Sequence, residues 1–411
     1  MNLFAIIILS SILIGFILDA VADMLNMKAL DGKLPEEFKE VYDEQTYAKS
    51  QEYTKTRTRF GIISSIFDLA ILLAFWFGGG FNIVDEWARS FGFGDIVTGL
   101  VFVGVLMVAK TIISLPFSIY STFVIEERFG FNKTDAKTFV LDLIKGLILG
   151  IVIGAPLLAG IIAFFAYAGP FGWLYAWLTV TAFSLILQFV APTWIMPLFN
   201  KFVPLEDGSL KQAIDKYADK VNFPLKGVFV MDGSKRSSKS NAFFTGFGKN
   251  KRIALFDTLI DNHSESELVA VLAHEVGHYK KKHILKNMVI SIAHTGVLFF
   301  LLSIFLSNEL LFDAFYMDEV SIHAGLIFFG MLYAPVEMIL SVFMQISSRK
   351  HEFEADNFAR ETIDEPEDMV NVLKGLSKDN LSNLTPHPFY VFLNYSHPPV
   401  LERIKAIRSH A

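Results

Sequence analysis

Long apolar runs, poor in ionised side chains, alternate along this chain with polar segments of very unequal length. Seven runs reach the roughly 20 residues that a helix needs to cross a bilayer. They fall at 3–22, 60–80, 96–120, 139–168, 171–199, 284–306 and 322–346. The first stands where a signal peptide would. It lacks a basic leader, its apolar stretch is too long, and Asp19 and Asp23 lie near its end, so a retained span is expected.

Two polar stretches remain, 200–283 and 347 to the end. The first holds β-like runs at 227–231 and 252–256 around a Gly/Ser/Asn-rich middle, followed by a helix. The second predicts helices over 349–362 and 367–376 and ends in a Pro-Pro turn. Neither an internal repeat nor a low-complexity tract is found. If the two stretches fold together, they meet at the ends of spans six and seven, which separate them in sequence. The fold class is therefore mainly α: a polytopic seven-helix membrane bundle carrying a small α+β domain on one face.

Lysine and arginine choose that face. The loop after span one carries Lys28, Lys33, Lys39, Lys49, Lys55, Arg57 and Arg59, and the loop after span three carries Arg128, Lys133 and Lys137. The segment after span five and the C-terminal tail are also basic. The loop after span two has only Arg89, and those after spans four and six have none. With seven spans this puts the N-terminus outside and both polar stretches in the cytosol.

Composition narrows the chemistry. The 411 residues are 53% hydrophobic, with 41 phenylalanines, against about 45–50% apolar in soluble chains. A net charge of −6 without a long basic run argues against a nucleic-acid partner. Cysteine is absent, which excludes disulfides, thiol catalysis and cysteine-held metal. Any metal must sit on His, Asp or Glu. Within the spans, Asp68, Lys110, Asp142, Lys145, Gln188, His294 and Glu337 are costly in lipid. They line a hydrated space or pair between helices; for Asp142 and Lys145, simple nearness to the interface is a further reading.

One motif carries chemistry: His274-Glu275-Val276-Gly277-His278. On a helix, positions i and i+4 share a face, so two imidazoles reach one zinc ion, and the glutamate between them is placed to take a proton from water. Ser264-Glu265-Ser266-Glu267 reads as a capping box ahead of Leu268, Val269, Val271, Leu272 and Ala273, which supports the helix. The rival reading is a surface helix with two exposed histidines. Catalytic zinc takes a third protein ligand. Glu352, just past span seven, is the candidate, with Asp356 one turn on to hold the outer N–H of a ligand histidine. Glu354, roughly 160° around the helix from Glu352, and His351 remain alternatives, and all of them compete with a solvated charged turn.

Several strings together resemble one family, the type I CAAX prenyl proteases: IEERFGFNK at 125–133, SKRSSKSNAFF at 234–244, the HExxH box, EFEAD at 352–356 and YSHPPVLER at 395–403. The resemblance covers nearly the whole chain. It implies a seven-span zinc endopeptidase whose spans enclose an intramembrane chamber. One Zn2+ would be held by His274, His278 and Glu352, with Asp356 behind them. It also implies that Glu275 is the catalytic base and that His397 and Arg403 hold the substrate and the developing oxyanion. The substrate would lie along an edge strand beside Asn241, Ala242 and Phe243. Taken alone, His397 and Arg403 are ordinary surface residue types, although a histidine before Pro-Pro is held in a fixed turn.

The expected division is 1–199 for spans one to five, 200–283 for the part of the peptidase domain with the HExxH helix, 284–346 for spans six and seven, and 347–411 for its C-terminal part. The expected partners are the bilayer and a peptide or protein substrate, prenylated or membrane-associated, cut near its C-terminus. Eukaryotic family members sit in the endoplasmic reticulum. The tail Arg408-Ser409-His410-Ala411 carries no retrieval signal, which favours a bacterial plasma membrane. Three rival readings are an HtpX-like quality-control protease, an intramembrane protease with HExxH inside a span, and a transporter or receptor with a structural zinc. The polar capping segment before His274 and Lys280, Lys281 and Lys282 after it argue against the second.

Overall fold

The computed structural model describes residues 1–245 and 251–409. Seven of its helices are long and apolar enough to cross a membrane: Leu3–Lys28, Glu44–Phe77, Asp95–Glu126, Ala136–Tyr167, Gly169–Leu198, His283–Phe305 and Ile322–Thr362. Each overlaps one predicted run. Short polar side chains begin several of them by accepting a first-turn N–H, as Asn2, Asp43, Asp135 and Ser321 do.

In chain order the membrane region comprises α1 (Leu3–Lys28), α2 (Glu44–Phe77), α3 (Gly80–Arg89), α4 (Asp95–Tyr120), α5 (Ala136–Leu149), α6 (Ala155–Tyr167) and α7 (Gly172–Val190). Wider π-helical turns extend α4 over Ser121–Glu126 and join α5 to α6 over Gly150–Gly154. Four strands follow: β1 (Phe202–Pro204), β2 (Leu225–Met231), β3 (Ala242–Thr245) and β4 (Lys251–Phe256), with α8 (Ser209–Lys220) between the first two. Then come α9 (Asp257–Asn262), α10 (Glu265–Lys280), α11 (His283–Phe305), α12 (Glu309–Asp313), α13 (Ile322–Thr362), α14 (Glu367–Asp379), α15 (Pro388–Asn394) and α16 (Val400–Ser409). The last two residues of the tail reading, His410 and Ala411, lie outside the described residues.

The sheet order is β1-β2-β4-β3, with β2 and β4 parallel and both outer pairs antiparallel. β1 was not predicted, and β3, which the residue pattern did not give, is an edge strand where the resemblance implied one. Ala242 pairs with Leu255 and Phe243 with Ala254.

The two polar stretches share one hydrophobic core. Val228, Ile253 and Leu255 of the sheet pack with Leu268, Val271, Leu272 and Val276 of α10, Val370 and Leu373 of α14, and Ile404 and Ile407 of α16. Each such side chain, fully buried, contributes about 1.5–3 kcal/mol. That burial folds residues before span six onto residues after span seven.

One boundary differs from the expectation. Span seven and the helix predicted from 349 are one continuous 41-residue helix, α13. Ser347, Ser348, Arg349 and Lys350 mark a change of solvent, but no proline or glycine stands among them to break the helix.

The intramembrane polar residues are largely paired. Lys110 Nζ donates to Asp68 at 2.6 Å, Lys145 Nζ donates to the Leu198 carbonyl at 2.7 Å, and His294 lies 3.1 Å from Glu337. Asp142 takes both arms of Arg236, at 2.7 and 2.9 Å. Lys239 donates to Glu126 and to the Tyr53 hydroxyl, at 2.9 and 2.7 Å. Two of the strings quoted above, 125–133 and 234–244, thus meet and fasten the sheet to the bundle.

Candidate active site

The capping box forms as its spacing predicts: Ser264 Oγ accepts from Glu267 N and Glu267 Oε2 from Ser264 N. It starts α10, which crosses α13 at Gly277. A Cβ on Gly277 would stand 3.0 Å from both Cα and O of Ala355, so the absence of a side chain there lets the helices approach. The crossing brings Glu352 to the Nε2 ends of His274 and His278.

His274 Nε2 and His278 Nε2 are 3.1 Å apart. Glu352 reaches them with one oxygen each, Oε2 at 3.4 Å from His274 and Oε1 at 3.2 Å from His278. The three ligating atoms lie within 4.8 Å of one another. Glu352 is only 4% exposed, and its buried Oε2 has no hydrogen-bond partner. A buried carboxylate set against two imidazoles, with one oxygen orphaned, fits a cation. Burial works against a charged His274, but the neighbouring carboxylates of Asp356 and Glu352 outweigh it and raise its pKa to about 9.

Behind the cluster, Asp356 Oδ1 lies 2.8 Å from His274 Nδ1, as the one-turn spacing from Glu352 anticipates. Arg403, itself buried, clamps Asp356 with Nε at 2.7 Å and Nη2 at 2.6 Å. Its Nη1 points on to Glu352 Oε2 at 3.6 Å. His397 Nε2 stands 3.4 Å from Glu352 Oε1, with a side chain 63% exposed. Burial pushes the Glu275 carboxyl above its ordinary pKa, against the opposing pull of His274 and His278.

Glu354 is not in the cluster; it lies 2.9 Å from His283 instead. Asn241, Ala242 and Phe243 add no atom to it either. They sit at the sheet edge, on a strand that packs against α10. Sequence reasoning missed Asn380, whose side-chain amide accepts from Ser240 N and donates to Ser240 O, both at 3.2 Å. It also missed His283; a third histidine five residues after the motif was the available signal.

A seven-span bundle in which two histidines of a HExxH helix meet a glutamate of a second helix in a site able to hold a metal defines a membrane metallopeptidase. The chain belongs to peptidase family M48, among the type I CAAX prenyl proteases. Residues 23–201 match the CAAX prenyl protease N-terminal region of five membrane helices, and residues 204–411 match peptidase family M48. It is 36% identical to CAAX prenyl protease 1 of Saccharomyces cerevisiae, over 92% of this chain and 89% of that protein. It is 37% identical to the Oryza sativa subsp. japonica homolog, over 97% and 96% respectively. The crystal structure of S. mikatae Ste24p superposes with a TM-score of 0.92 at 35% identity, covering 99% of both chains. These matches do not favour the quality-control or transporter readings. The chain is an integral membrane metalloendopeptidase that acts on a peptide or protein.

Proposed function

We propose that the metal is zinc and that the enzyme cleaves prenylated substrates near their C-termini on the cytosolic side. The donor set supports zinc: two imidazoles and one carboxylate suit it better than magnesium or calcium, which prefer oxygen throughout. The observation that carries the reading is Glu352, buried, with one oxygen turned to each of two adjacent imidazoles and its Oε2 unsatisfied.

His274, His278 and Glu352 hold the ion. A zinc ion there supplies Lewis-acid activation of the scissile carbonyl and of the attacking water. Glu275 accepts the proton of that water and passes it to the leaving amine, a task suited to a carboxylate whose pKa burial has raised. His397, exposed beside Glu352, donates to the developing oxyanion. Arg403 joins it through Nη1 while its other nitrogens fix Asp356. The substrate adds to the free edge of β3 next to Asn241, Ala242 and Phe243. In this scheme the peptidase domain is assembled from 200–283 and 347–411, with 1–199 and 284–346 in the membrane. The basic loops hold it on the cytosolic side.

The test incubates purified protein with prenylated and unprenylated C-terminal cysteine peptides, with and without a chelator. Cleavage of the prenylated peptide, lost on chelation and restored by zinc, is expected. Glu275→Gln should keep its zinc and lose turnover. Turnover retained in that variant overturns the assignment of the base.

A further inference from the structure

The HExxH helix does not run straight into span six. Lys282, between α10 and α11, takes a left-handed backbone with φ 59°. For a residue with a side chain this backbone is strained, and such strain gathers at functional sites. The turn swings His283, the first residue of α11, back over the end of α10. Its Nδ1 then lies 3.0 Å from Nδ1 of His278. Its Nε2 lies 2.9 Å from Glu354 Oε2. His351 stacks on its face, with ring centroids 4.0 Å apart and planes 13° from parallel. The His283 side chain is 2% exposed.

We infer that His283 and Glu354 form a hydrogen-bond relay that orients the ligand histidine His278, making both of them positioning residues for the metal site. The inference rests on the reading of His278 as a ligand. If its Nε2 faces the metal, its Nδ1 carries the hydrogen and must donate. The acceptor within reach is Nδ1 of His283. A neutral ring that accepts at Nδ1 carries its own hydrogen on Nε2, and that atom meets the Glu354 carboxylate. Every donor in the chain thus finds an acceptor with both rings neutral.

The two ligand histidines are therefore held in different ways. His274 meets the carboxylate of Asp356 directly. His278 meets a carboxylate through an interposed ring, because Glu354 points roughly 160° away from Glu352 around α13. Stacking by His351 covers the relay ring and fixes its plane. The competing view makes His283 a satisfied core histidine and Lys282 merely a corner in the chain. That view predicts a loss of stability on substitution with no selective effect on metal.

The experiment measures zinc affinity of the full-length protein in detergent by competition with a chromophoric chelator. The visible spectrum of the cobalt-substituted form gives a second readout. Glu354→Leu removes the acceptor at a partly exposed position and should weaken zinc about 10–100-fold, with a changed cobalt spectrum. Glu354→Gln keeps an acceptor oxygen and should restore most of the affinity. His283→Ala should lose at least as much as Glu354→Leu, and the double variant no more than His283→Ala, since the glutamate acts through the ring. Zinc binding by Glu354→Leu within twofold of wild type, with an unchanged cobalt spectrum, overturns the relay. If His283→Ala does not fold, the comparison of Leu with Gln at 354 decides alone. A wild-type protein that binds no zinc, or His278→Ala binding it as tightly as wild type, removes the metal-site reading and the relay with it. Tight wild-type binding with Glu354→Leu unaffected removes the relay alone.

Discussion

Gly277 of the HExxH helix lies against the backbone of Ala355, so close that a single methyl on the glycine would stand 3.0 Å from Ala355 Cα. Ala355 is three residues beyond Glu352 and one before Asp356, so this contact sets the distance between the two imidazoles and both carboxylates. Gly277→Ala gains about 1 kcal/mol of helix propensity and loses about 1–3 kcal/mol to overpacking. The expected result is a small fall in melting temperature but a zinc affinity at least tenfold weaker, read by chelator competition. Unchanged affinity would show that the crossing has slack.

Arg403 spends two nitrogens on Asp356, and both residues are buried. Arg403→Ala strands that carboxylate and should destabilise the protein by about 3–5 kcal/mol. Arg403→Lys keeps the charge but not the two-pronged geometry. It should recover part of the stability and little of kcat. Thermal unfolding together with single-turnover rates separates the two effects, and full activity in the lysine variant contradicts the proposed aim of Nη1.

His263 offers a pH dependence away from the metal. Its side chain is 3% exposed, 3.3 Å from Glu267 and 3.6 Å from Asp379. Burial alone would lower its pKa, but Asp379 and Glu267 together raise it above the ordinary value. The folded state therefore holds the proton more tightly than the unfolded state. The stabilisation is complete below about pH 6.5 and is lost as pH rises through the raised folded value. The melting temperature of wild type should fall more between pH 6 and 8.5 than that of His263→Gln. A gap between the two proteins that stays constant with pH refutes the linkage.

Asn380 clamps both backbone groups of Ser240, the residue before Asn241. Asn380→Ala frees that end of the edge strand. KM should rise several-fold while zinc content stays at one per chain, and a pure kcat effect would speak against substrate pairing at this edge.

The spans were legible because apolar length is a local property, and α10 was legible because a capping box and an i, i+4 ligand pair both lie within one helix. Spacing alone left Glu352, Glu354 and His351 open as the third ligand. The choice between them depends on how α13 rotates against α10, which Gly277 and Ala355 settle from 78 positions apart (277 against 355). The same holds for His283 and Asn380. His283 stands only five residues after His278, but its other partner, Glu354, is 71 positions away, and Asn380 is 140 positions from Ser240. A break between span seven and the helix from 349 was expected because polarity was taken for a helix boundary, whereas Ser347, Ser348, Arg349 and Lys350 contain no residue that stops a helix.

The continuous α13 is about 60 Å long, carries Pro335 within its apolar half, and bears Glu352 and Asp356 towards its far end. Membrane proteins answer a change in bilayer thickness chiefly by tilting their helices. Past Pro335 neither proline nor glycine interrupts the helix, so a tilt of that half carries the two carboxylates with it, and the acyl-chain length of the surrounding lipid bears on their position.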